Sequence, residues 1–196
     1  MPAALDRCLQ SVKSQEIDHG SFEIIVVDNN SARFPADIAA RHSDVRFLSE
    51  PRPGPGLARN TGAAAARASR LAFIDADCTA APGWLQAALN ALDHGPANTI
   101  VGGDVRIGFV DPHHLTGIEA YEAVFAYRQR MYIEKMGFSG TGNLAMTTDI
   151  LASVGPFGGI EIAEDKDWGN RATAKGYRIR YVEAMRIYHP GRHDLR

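Results

Sequence analysis

Two almost wholly apolar runs end in aspartate: FEIIVV, Phe22 to Val27, meets Asp28, and LAFI, Leu71 to Ile74, meets Asp75. A strand with no polar face can only be buried between two layers, which places it in a parallel sheet with helices on both sides. The intervening segments agree. Ala3–Ser14 repeats apolar residues at helical spacing through Leu5, Cys8, Leu9 and Val12, and Leu57–Arg70 carries six alanines and no proline. Pro82–Leu92 reads as a further helix, Ile38–His42 as a short one, Val45–Leu48 as a short strand, and Thr99–Ile107 as a strand broken at Gly102-Gly103. The class is α/β: a doubly wound, Rossmann-like, mostly parallel sheet flanked by helices. Ligands of such sheets bind at the carboxyl ends of the strands, where Asp28 and Asp75 stand.

The chain has 196 residues, 45% of them hydrophobic, so residues 1–196 read as one domain with one substantial core. Its 21 basic and 23 acidic residues give a formal charge of -2 with no polybasic tract, which argues against a nucleic-acid partner. Cys8 and Cys78 lie far apart in sequence, so neither a disulfide framework nor a zinc knuckle is expected and a reducing compartment fits. No secretory leader is evident, and no run approaches the roughly 20 apolar residues that span a bilayer. The expected location is the cytoplasm, including the inner face of the membrane.

The chemistry centres on LAFIDADCT. Two carboxylates one residue apart repel unless something positive joins them. Either could simply cap the following turn, whereas a hard divalent cation could join at least one of them to the oxygens of a diphosphate. D-x-D-x-T after an apolar strand also fits haloacid-dehalogenase-like phosphatases, with Asp75 as nucleophile, Asp77 as acid and Thr79 in place. Those enzymes usually open with the motif and need a later lysine and an acidic pair, yet Gly103-Asp104 has no acid four residues on.

The order of motifs is more specific than any one of them. An apolar strand ending in aspartate, then PGPGLARNTG, FIDADC, GTGN and AEDKDWGNRATAKGYRI resembles the family 2 type of glycosyltransferase with the GT-A fold, from the first helix to His189. The resemblance implies a UDP- or GDP-linked sugar as donor, a sugar, lipid-linked or other hydroxyl acceptor, and transfer with inversion. It implies that Asp28 accepts a hydrogen bond from the base and that Asp75 approaches the ribose. Asp77, with Asp75 beside it and His189 completing the set, would hold Mn²⁺ or Mg²⁺, and Asp165 would be the general base. Arg59 would approach the nucleotide, and the loop Gly140–Asn143, with Gly142 and Asn143, would lie near donor sugar and acceptor.

Other residues have plainer readings. Trp168 reads as core packing, and the pair His189 and His193 is set against a helix by Pro190. Tyr121, Phe125, Tyr127 and Tyr132, within an aromatic helical stretch Ile118–Met136, form a packing face or an acceptor-facing one. His113 and His114 receive no role.

The chain departs from the family in three places. Asn29 stands where relatives often have a second aspartate, the C-terminus stops soon after His193, and Met1 stands where the first helix begins, without the usual strand before it. That strand would lie beside Phe22–Val27, so its absence predicts exposed edges, an invitation to homodimerise, and weak or no turnover by a chain expected to be truncated at its N-terminus and to stop short at its C-terminus. A catalytically silent nucleotide-sugar-binding module is the corresponding alternative to an enzyme.

Overall fold

The computed structural model describes residues 2–109, 111 and 113–192, so His193 lies outside the described residues. The chain opens with helix α1 (Pro2–Lys13), strand β1 (Ile25–Asn29), helix α2 (Ala36–Arg41), strand β2 (Arg46–Glu50) and helix α3 (Pro55–Ala65). Strands β3 (Arg70–Ile74) and β4 (Thr79–Ala80), helix α4 (Trp84–Asp93), strand β5 (Thr99–Gly108) and helices α5 (Gly117–Phe125) and α6 (Gln129–Met136) follow. Strand β6 (Asn143–Thr147), helices α7 (Thr148–Val154) and α8 (Glu164–Ala174) and strand β7 (Arg178–Pro190) complete it.

The strands form two sheets. β1 and β2 make a parallel pair, and the second sheet has the order β3-β6-β5-β7-β4. Its longest ladder, β5 on β7, is parallel from Thr99↔Arg178 to Gly108↔Pro190, while β3 on β6, β5 on β6 and β4 on β7 are antiparallel. The α/β class therefore holds with more mixed pairing than the apolar runs alone imply. Among the described residues no ladder joins β1 to β3.

Helices hold the two sheets together. One face of α1 puts Cys8 and Val12 into a core with Trp84, Val101, Ala145 and Met185, and its neighbouring face puts Leu9 against Ile38 and Val45. Helix α3 lies close on β1, because a Cβ at Gly62 would stand 3.2 Å from Val27 Cγ2. The second sheet is covered on both faces. Val101 and Ala145 belong to the α4 side, whereas the adjacent Ile100, Leu144 and Met146 join Ile150, Phe157 and Trp168 on the side of α7 and α8. Trp168 is thus core packing.

Several elements differ from the sequence reading for local reasons. Helix α3 starts inside the proline loop, with Pro55 in its first turn, where a missing N–H costs nothing. The stretch Ile118–Met136 is two helices, separated where Tyr127 adopts φ 49°. Gly102-Gly103 does not break β5; the register merely shifts between Gly103 and Asp104. That shift leaves carbonyls without ladder partners, and Asn143 Nδ2 donates to two of them, Asp104 O at 2.8 Å and Met185 O at 2.9 Å. A side chain at Gly103 would overlap the Asn143 amide.

Glu50, at the end of β2, ties the proline loop to α3. The Arg52 guanidinium, the Thr61 hydroxyl and the Arg52 backbone N–H all donate to its carboxylate and hold its pKa down at about 2. A carboxyl depressed by folding lends stability that is complete above its unfolded value near 4.5 and is lost as the pH falls toward about 2. Acid unfolding followed by circular dichroism should show a component in that window that disappears in Glu50→Gln. An identical acid arm in the variant would mean that the stability comes from elsewhere.

Candidate active site

The carboxyl end of β3 opens into a cavity of about 480 Å³ whose lining includes Arg59, Asp75, Cys78, Gly142, Glu164, Asp165 and His189. Asp75 N donates to Gly142 O at 3.3 Å, and Cys78 N donates back to Asp75 O at 3.0 Å, so the chain turns through Ala76 and Asp77. Gly142 is required there, because a Cβ would overlap the Asp75 carboxylate.

Arg59 supplies the positive charge that Asp75 needs. Its Nη2 donates to Asp75 Oδ1 at 2.7 Å and its Nη1 to Glu164 Oε1 at 3.2 Å, and its side chain is only 12% exposed. An arginine on an alanine-rich helix would more often be solvated. Neighbouring contacts explain why this one is not. Asn60 Nδ2 donates to Phe157 O and Asn60 Oδ1 accepts from Phe157 N, both at 2.9 Å, which locks α3 against the segment leading to α8. A Cβ at Gly56 would overlap Gly158 O. The PGPGLARNTG stretch is therefore an interlock that aims Arg59.

Glu164 and Asp165 occupy the first turn of α8, where the helix dipole favours anions, and Asp165 Oδ1 accepts from Lys166 N at 2.8 Å. His189 lies near the end of β7, its ring against that of Tyr127 with centroids 4.6 Å apart and the planes tilted by 35°. Its Nδ1 lies 2.9 Å from Pro190 O. A carbonyl only accepts, so Nδ1 carries the hydrogen and Nε2 is turned toward Asp77 Oδ2 at 3.7 Å, too far for a hydrogen bond. An imidazole nitrogen and a carboxylate facing each other across such a gap form a donor set that fits a divalent cation.

The sequence-based assignments divide accordingly. Asp77 and His189 come together, and Cys78 joins them: one ligand atom from each lies within 4.8 Å of the others. Asp75 is not in that group, and its Oδ1 accepts from Arg59 Nη2. Gly142 and Asp165 line the cavity, but Asn143 does not. Its side chain is buried in the core, where Oδ1 accepts from Trp84 Nε1 at 2.9 Å in addition to the two carbonyl contacts above. Asp28, paired in register with Ser49, is half-buried and stands outside the cavity lining. Asn29 departs from the family for a visible reason: its amide donates to Glu50 O and Arg52 O and accepts from Gly54 N, and an aspartate could not donate.

Tyr121, Phe125, Tyr127 and Tyr132 all line the cavity. Helix α5 is inverted relative to an ordinary surface helix, since Glu119 and Glu122 are buried while Tyr121, Val124 and Phe125 are exposed. Both cysteines are free; burial first, then Asp77 and Asp75, pushes the Cys8 thiol up to about 12, and burial raises Cys78 as well. The sequence reading gave Cys78 no role, and its only signal was adjacency to Asp77. His113 and His114 lie in an exposed loop.

A family model described as glycosyl transferase family 2 matches residues 2–154. The chain belongs to glycosyl transferase family 2. It is 30% identical over 194 residues to the glycosyltransferase AglE of Haloferax volcanii, covering 96% of this chain and 63% of that one. It is 27% identical over 191 residues to the pre-mycofactocin glycosyltransferase of Mycobacterium tuberculosis, covering 88% of this chain and 38% of that one. The chain thus spans less than two thirds of the length of these relatives.

The fold of this family 2 chain is shared by solved structures. The mannosyltransferase PcManGT from Pyrobaculum calidifontis, in complex with GDP-Man and Mn²⁺, superposes with a TM-score of 0.71 at 20% identity, covering 96% of this chain and 53% of that one. GalNAc-T7 with UDP, GalNAc and Mn²⁺ gives 0.70 at 14% identity, covering 96% and 41%. The phosphatase alternative loses its basis with the family match, and Asp75 is held by an arginine instead of standing free as a nucleophile. Among the described residues no helix is long and apolar enough to cross a membrane.

The placement of Asn143 yields a prediction. Asn143→Ala would strand the Trp84 N–H and two carbonyls in the core, and at about 1–3 kcal/mol for each unsatisfied group the three together cost about 3 kcal/mol or more. Urea denaturation should show that loss in the variant with no ligand present. A midpoint equal to that of the parent chain would mean that the core does not depend on this amide.

Proposed function

We propose that the cavity transfers a sugar from a UDP- or GDP-linked donor to an acceptor hydroxyl with inversion at the sugar carbon. The observation that carries the reading is the convergence of Asp75, His189 and Asp165 on one cavity in a chain of this family. The ligands named for two solved structures that share the fold, UDP with Mn²⁺ and GDP-Man with Mn²⁺, support the donor class and the use of a metal.

In this reading Asp77 and His189 hold Mn²⁺ or Mg²⁺, which would offset the charge that develops on the departing diphosphate. Arg59 keeps Asp75 fixed beside Gly142, positioned for the ribose, and Asp28 at the end of β1 receives the base. The acceptor oxygen forms its bond to the sugar carbon as the bond to the diphosphate breaks. Asp165 takes the hydroxyl proton, aided by its place in the first turn of α8. Attack on the face opposite the leaving group inverts the centre, and no covalent enzyme intermediate is required.

Calorimetric titration of UDP and GDP is expected to show binding with Mn²⁺ that is lost with excess chelator and in Asp77→Ala. Absence of binding by either nucleotide under all these conditions would overturn the donor assignment. Asp165→Asn is expected to bind nucleotide within about 3-fold of the parent while losing roughly 10²- to 10⁴-fold in transfer rate, the range for a general base. Full transfer by that variant would remove Asp165 from the role, and binding without transfer by the parent chain across many acceptors would favour a silent nucleotide-sugar-binding module.

A further inference from the structure

The DAD turn holds a donor that a hard-cation site does not need. Cys78 Sγ lies 3.7 Å from Asp77 Oδ1, and Asp77, Cys78 and His189 each offer one ligand atom within 4.8 Å of the others. We propose that these three side chains form a binding site for zinc-class divalent cations, with Cys78 as a thiolate ligand, so that zinc competes with Mn²⁺ or Mg²⁺ for the position. The proposal rests on the reading above only in sharing Asp77 and His189 with it.

The donor chemistry argues for this class. Mg²⁺ and Mn²⁺ favour oxygen ligands, whereas a set of one thiolate, one imidazole and one carboxylate suits zinc, cobalt or cadmium. Three protein ligands with a fourth position left open is the pattern of zinc sites that take water or substrate as the fourth ligand. Cys78 and His189 line the cavity, and Asp77 stands beside them outside its lining.

The outer contacts are also in place. The Nδ1–H of His189 is engaged by Pro190 O, which leaves Nε2 as the ligating nitrogen, and the Tyr127 ring fixes the imidazole plane. Cys78 packs in the core beside Val105, Met185 and Ile187, so the sulfur is held in position by apolar neighbours. The binding step is balanced: a sulfur–metal bond forms, the S–H bond breaks, and the proton leaves to solvent with no change of oxidation state.

Cobalt(II) tests the proposal without nucleotide or acceptor, because a thiolate bound to cobalt gives a charge-transfer absorption in the near ultraviolet that oxygen and nitrogen ligands do not. The purified chain titrated with Co²⁺ should show that band, and Zn²⁺ should abolish it by displacement. Cys78→Ser should lose the band, and so should Cys78→Ala, while Cys8→Ser keeps it. His189→Gln, altered at a less buried position, should weaken Zn²⁺ binding by at least about 10-fold. For Cys78→Ser, Mn²⁺ affinity should stay within about 3-fold of the parent.

A parent chain without the band, a band that survives Cys78→Ser, or a band that disappears only in Cys8→Ser would each overturn the proposal. Loss of nucleotide binding leaves the cobalt result untouched, so failure of the glycosyltransferase reading and failure of this one are separable.

Discussion

The carboxyl end of β3 is built around an excess of negative charge. Asp75 and Asp77 flank one alanine, and Glu164 and Asp165 join Asp75 at the cavity from α8. Unit charges 4 Å apart repel by about 4 kcal/mol at the effective dielectric of a protein surface, so such a cluster needs compensation. Arg59 provides part of it by bridging Asp75 and Glu164. The interlock of α3 follows from that duty, since Gly56, Asn60 and Gly62 hold the helix close enough for one guanidinium to reach both acids. Asp77 is outside Arg59's reach and faces His189 instead.

Apolar continuity and motif order made the class, the helices and the DAD turn legible in the sequence. Strand β7 was not, because RIRYVEAMRIYHP mixes charged and apolar residues and its inner side is recognised only once Met185 and Ile187 are seen in the core. Asn143 looked like a loop residue near a ligand because the register shift that needs its amide is a property of two strands distant in sequence. Arg59 and Asn29 gave a similar difficulty: their partners lie 105 and up to 25 residues away, at Glu164 and Gly54. Local pattern identified these residue types but not what they touch.

The division of the strands into two sheets gives the helices an unusual duty. Asp28 is the last residue but one of a strand of the first sheet and Asp75 directly follows a strand of the second, and no ladder between them sets their separation among the described residues. Their relation is carried by α1, whose Cys8 thiol donates to Asp75 O at 3.6 Å while Leu9 packs toward β1 and β2, and by α3 pressed on Val27. Side-chain packing replaces main-chain hydrogen bonds as the ruler.

Helix α5 shows how an aromatic surface can be kept in place. Rotating it to hide Tyr121, Val124 and Phe125 would carry Glu122 away from the Arg192 N–H and guanidinium, and would break the reciprocal cap between Glu119 and Thr116. Its two inward acids act as a rotational lock. The orientation of the apolar stripe at the cavity rim is thus fixed by hydrogen bonds on the opposite side of the helix, whether or not anything covers the aromatic rings.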